Sequence, residues 1–63
     1  MARLNTDPNI AEPDDFYADL IAAHSGKTDD ESAAFNARLI LVLANHIGDR
    51  DVLREALVAA QKH

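Results

Sequence analysis

The stretch from Thr28 to Gly48 constrains this chain more than any other. It opens on Thr28-Asp29-Asp30-Glu31, a threonine cap followed three residues later by a glutamate able to reach back to it. It stops at Gly48, a residue type that readily takes the left-handed backbone after a last helical turn. Between them lies neither glycine nor proline, and the pattern predicts a helix over 29–47. With Asn36 at zero and about 100° per residue, Val42, Phe35, His46 and Leu39 fall at about 240–300°. Leu43, Ile47 and Ile40 fall at about 340–40°, and Ala33, Ala44 and Ala37 at about 60–100°. Arg38 and Asn45 make a wet stripe near about 180–200°, with Leu41 and Ala34 beside it. The apolar arc spans about 220°, where a surface helix needs little more than about 100°. A helix this apolar is expected to be covered on two sides.

The flanking sequence supplies two shorter helices. Pro13 stands where a first helical position loses nothing by lacking an N–H, and Asp14 and Asp15 suit the positive end of the dipole. With Gly26 as the stop, a helix is predicted over 13–25. Asp49 caps a third, over 50–62, with Lys62 and His63 at its negative end. The first offers Phe16, Leu20 and Ala23 with Tyr17, Ile21 and His24 alongside, and the third offers Leu53, Leu57 and Ala60. The expected fold is all-α: a compact three-helix domain over 13–63, behind an N-terminal arm, 1–12. That arm is either extended or makes one turn at Asp7-Pro8-Asn9-Ile10, and Leu4 and Ile10 could pin it down.

Whether two short helices suffice to cover the long one is a question of size. From the scaling of surface with mass, a chain of 6.9 kDa exposes about 4,000 Å² folded and roughly 10,000 Å² unfolded. Domains this small are commonly reinforced by disulfides, metals or association, and the absence of cysteine removes the first and the usual structural zinc sites. Two readings follow. The flanking helices wrap the central one, or its alanine edge (Ala33, Ala37, Ala44) lets another backbone approach.

The second reading makes the chain a self-associating module or one docked on a larger protein. The interface residues it predicts are Ala33, Phe35, Asn36, Ala37, Leu39, Ile40, Leu43, Ala44, His46 and Ile47. Tyr17, His24, Arg38 and Asn45 are the polar residues placed to take part in recognition. Asn36 falls at the apolar centre beside Ile40 and Leu43, where a buried asparagine can fix register. Arg38 could pair with Glu31 or with a partner's carboxylate.

Net charge, −5, argues against nucleic acid and against an anionic membrane surface. The distribution is uneven: residues 1–31 hold eight acids and two bases, residues 32–63 three acids and four bases. Asp14, Asp15, Asp29, Asp30, Glu31, Asp49 and Asp51 all sit at predicted helix starts, so capping explains most of the acidity. No apolar run approaches the roughly 20 residues that span a bilayer, and the first residues hold no apolar signal core. A cytoplasmic protein is expected.

No group of residues is arranged for catalysis. Ser25 and Ser32 sit at helix termini, no glycine-rich phosphate loop is present, and no histidines stand three or four apart on one helix. No enzyme, resident metal or cofactor is expected. The alternative function is a small-molecule or metal-binding protein that brings Tyr17, His24, Asn45 and His46 together across helices.

Asp14-Asp15-Phe16-Tyr17, Asn36-Ala37-Arg38-Leu39 and Leu43-Ala44-Asn45-His46-Ile47-Gly48-Asp49 resemble a family of short bacterial proteins of unknown function. The likeness runs from about Leu4 to Ala60, and the Leu43–Asp49 segment is its most specific part. Members of that family lie near genes for flavin-dependent aromatic-ring monooxygenases. The resemblance implies a helical accessory protein, a small subunit or stabiliser of a catabolic enzyme, and it carries over no catalytic residue.

Overall fold

The structure, a computed structural model, describes residues 3–62. It is all-α: α1 is Pro13–His24, α2 is Asp29–Ile47 and α3 is Arg50–Ala60. No strand occurs among the described residues.

Each helix end has a chemical cause. At the start of α2 the Thr28 side chain accepts from the Glu31 N–H at 3.2 Å, and the Glu31 carboxylate accepts from the Thr28 N–H at 2.9 Å. Gly48, at φ 70°, closes α2 with its N–H on the Ala44 carbonyl at 2.9 Å. One residue later Asp49 opens α3, its carboxylate accepting from the N–H groups of Asp51 and Val52. α1 departs from this pattern. Pro13 fills its first turn, but the cap is Glu12, a non-glycine residue at φ 53° that gives no side-chain bond. There the backbone serves instead, the Glu12 carbonyl accepting from Asp15 and Phe16.

α3 ends at Ala60, two residues short of the sequence expectation. The expectation that His63 complements its negative end lies outside the described residues, as do Met1 and Ala2 of the arm. Residues 3–12 hold bends but no helical turn, so the arm is the extended form. There the Asp7 N–H donates to the Asn5 side-chain oxygen at 2.9 Å. Leu4 and Thr6 lie against Arg54, Val58 and Ala59 on the outer side of α3, while Ile10 stays exposed.

Two-sided burial of α2 is not observed. No side chain among the described residues is buried, and no two helices pack along their length. α1 meets the first half of α2, at Phe35 and Asn36. α3 meets the second half, at Ile40, Leu43, Ala44 and Ile47. The two short helices thus engage different ends of the long one. Its middle stays open, with Ile40 64%, Leu41 69% and Val42 66% exposed.

The dimensions agree. The chain exposes 5747 Å², against about 4,000 Å² for a closed monomer of this mass. Its radius of gyration is 13.4 Å, where a closed domain of this length has about 11 Å.

Glu31 supplies a pH dependence. The hydrogen bonds from Thr28 backbone and side chain hold its carboxyl below the ordinary carboxylate range, and Lys27 adds to the same effect. A depressed folded-state value contributes stability that is present above the unfolded value, about 4.3, and lost as pH falls through the folded one. Thr28→Ala is expected to cost about 1 kcal/mol at neutral pH. It should also flatten this acid limb, read by urea titrations as pH falls below the unfolded value of about 4.3.

Candidate functional site

Two local arrangements hold most of the chain's non-routine chemistry. The first joins α1 to α2. His24, in the last turn of α1, has Nδ1 2.8 Å from the Leu20 carbonyl and Nε2 2.9 Å from the Asn36 side-chain oxygen. A carbonyl only accepts, so Nδ1 carries a proton and donates. In the neutral ring Nε2 is then an acceptor, served when the Asn36 amide turns its NH₂ toward it. In the imidazolium Nε2 donates to the amide oxygen as placed. Phe35 completes the bridge, its ring edge-on to His24 at 5.0 Å and with the Lys27 ammonium 5.1 Å over its face. Lys27 also donates to the Ala23 carbonyl at the open end of α1.

This corrects the placement of Asn36. It is exposed and tied to His24 rather than buried beside Ile40 and Leu43. α1 lies over the Phe35 side of α2 and brings a ring nitrogen to the amide, so the asparagine joins two helices of one chain. Asn36→Ala is expected to lower stability by about 0.5–1 kcal/mol, the worth of one exposed hydrogen bond. The measurement is a thermal melt beside His24→Phe, which keeps the ring contact and loses the bond.

The second arrangement is a groove between α2 and α3, about 420 Å³ in volume. Ile40, Leu43, Ala44 and Ile47 form one wall and Leu53, Ala56, Leu57 and Ala60 the other. Every lining side chain is apolar, because both helices turn the same kind of face inward at i, i+3, i+4 and i+7 spacing. The turn through Gly48 and Asp49 sets the two walls side by side. The groove carries no acid, base or nucleophile. Its chemistry is that of an apolar seat.

The other expected residues fall around these two places. Of the ten interface residues on α2, Ile40, Leu43, Ala44 and Ile47 line the groove. Ala33 and Ala37 continue the same edge beyond it, both exposed, while Phe35 and Leu39 are half-buried. His46 is exposed, not enclosed with Phe35 and Leu39, since α1 reaches only the first half of α2. Asn36 and His46 are ten residues apart, about 15 Å along the helix, so His24 and His46 are not brought together. Tyr17, Arg38 and Asn45 are exposed.

The Arg38–Glu31 pair does not form. Among the described residues the ion pair present is Arg54–Asp51, at 4.0 Å and exposed, while the Glu31 carboxylate is engaged in the cap. No three of His, Cys, Asp and Glu converge as a metal site among the described residues, and no helix is long and apolar enough to cross a membrane. Sequence reasoning placed Leu53, Leu57 and Ala60 on the covering face of α3 but not among the interface residues, and it missed the role of Lys27. The i, i+3, i+4, i+7 spacing of Leu53, Ala56, Leu57 and Ala60 carries that face.

Neither a curated protein nor a solved structure matches this chain. A family model does, described as a protein of unknown function, DUF2783, over residues 4–62. That span takes in the arm from Leu4, the His24–Asn36 bridge and both walls of the groove, and the chain belongs to the DUF2783 family.

Proposed function

We propose that this chain is a non-catalytic helical interaction module that works by seating its α2–α3 face on a protein surface. One observation carries the reading: an all-apolar groove lies open on a chain that buries none of its described side chains. Ile40, Leu43, Ile47 and Leu57 are each about half to two-thirds exposed. Fully burying such a side chain stabilises by about 1.5–3 kcal/mol, so these four leave several kcal/mol unused. Exposed apolar patches of this kind mark interaction surfaces in small soluble domains. The module is either self-associating or an accessory subunit of a larger protein. The resemblance to a family found near genes for flavin-dependent aromatic-ring monooxygenases supports the second form, with an aromatic-catabolic enzyme as the larger protein.

Purified under native conditions, the chain is expected to sediment with a stoichiometric protein partner, itself or another. Ile47→Glu and Leu57→Glu are expected to abolish that association while circular dichroism still reports helix. A wild-type chain that stays a folded monomer, alone in native extract and after purification, overturns the reading.

A further inference from the structure

Resting on that reading, we infer that the occupant of the groove is α2 of a second copy of this chain, laid antiparallel across a two-fold axis near Ile40. The area is the first ground. The chain exposes 5747 Å², about 1,700 Å² beyond a closed monomer of its mass. Two copies that hide this excess bury about 3,400 Å², inside the range of obligate homodimers, and half of it still makes an interface of about standard size.

Self-complementarity is the second. A two-fold axis puts the same surface against itself, and that surface must fit its own shape and charge. On the side that faces the groove and its continuation, α2 carries the small Ala33 and Ala37 toward its start and the bulky Leu43 and Ile47, with Ala44 between them, toward its end. An axis at Ile40 sets Ala37 opposite Leu43 and Ala33 opposite Ile47, each small residue against a large one. Antiparallel helices also align opposite dipole ends.

Charge distribution removes the obvious objection. The acidity is concentrated in residues 1–31, eight acids against two bases, whereas residues 32–63, which hold the groove, carry three acids and four bases. Two grooves can meet without strong repulsion. The chain's own arm is not the occupant, since Leu4 and Thr6 already lie on the opposite side of α3, against Arg54 and Val58.

Sedimentation equilibrium of the full chain, from about 1 to about 100 μM, tests the pairing. The expected mass is twice 6.9 kDa. A monomer throughout, or a trimer or larger, overturns it. Because the chain has no cysteine, a single one reports proximity directly. Mild oxidation is expected to link Ile40→Cys into a covalent dimer, its Cα atoms falling within roughly 7 Å across the axis. Arg38→Cys, on the wet stripe, is expected to stay unlinked. Linkage of both variants equally, or of neither, overturns the placement whatever either does to stability. A chain that sediments as a monomer, yet is held by a different protein through Ile47 and Leu57, overturns the second copy and leaves the module reading standing.

Discussion

Hundredfold dilution of this protein, from about 100 to about 1 μM, is expected to lower its melting temperature by roughly 5–10 °C. The reason lies in what the single chain can bury. Stability comes chiefly from apolar surface removed from water, and it must exceed the conformational entropy of ordering the backbone and side chains. With 5747 Å² exposed and no described side chain buried, a lone chain has little such surface to set against that entropy. In the proposed dimer, folding and association are one equilibrium. Its free energy falls by about 2.7 kcal/mol per dimer for each hundredfold dilution. Shared between two protomers, that is worth several degrees in a domain of this size. Differential scanning fluorimetry across the range reads it directly. Ile40→Glu should melt low and at one temperature throughout, because the coupling is gone. A wild-type melting temperature that ignores concentration would mean the open chain is stable by itself, and the groove's exposure would then need another account.

The second large effect is expected at Gly48. Its φ of 70° belongs to the left-handed region, which costs a side-chain-bearing residue about 1–2 kcal/mol. A Cβ there would meet the Asn45 carbonyl oxygen at 3.8 Å, an ordinary contact, so the cost is backbone strain rather than collision. Gly48→Ala is therefore expected to lower stability by about 1–2 kcal/mol in urea titration, and Gly48→Asn by less, since asparagine tolerates this backbone. More than stability is at issue. The Gly48–Asp49 turn fixes where α3 leaves α2, and with it the width of the groove. Gly48→Ala should weaken association beyond its effect on helix content, while Gly26→Ala, at φ 78° in the other turn, should act on stability alone.

These expectations rest on features of different visibility. Thr28-Asp29-Asp30-Glu31, Gly48 and Asp49 fixed the limits of α2 and the start of α3, because capping is local chemistry between residues two to four apart. The apolar arc of α2 was equally readable, being a property of one helix. Which part of the arc each neighbour would touch was not. Covering two sides of a 19-residue helix with helices of 12 and 11 residues depends on crossing positions that no periodicity encodes. Asn36 shows the consequence. Its place on the helical wheel put it at the apolar centre, but the approach of α1 decided that it would face His24 in the open. The arm shows it again, since Leu4 found the outer side of α3 while Ile10 found nothing.

The second helix is where the two kinds of information separate. Sequence alone determined that α2 exists, where it begins and ends, and that its apolar arc is wider than a surface helix needs, for all of these follow from near neighbours and a fixed angular step. Only the tertiary structure decided that α1 and α3 engage its opposite ends and leave Ile40, Leu41 and Val42 in water. That outcome turns on long-range packing, in which the short turns after His24 and Ile47 set directions and the lengths of α1 and α3 set reach.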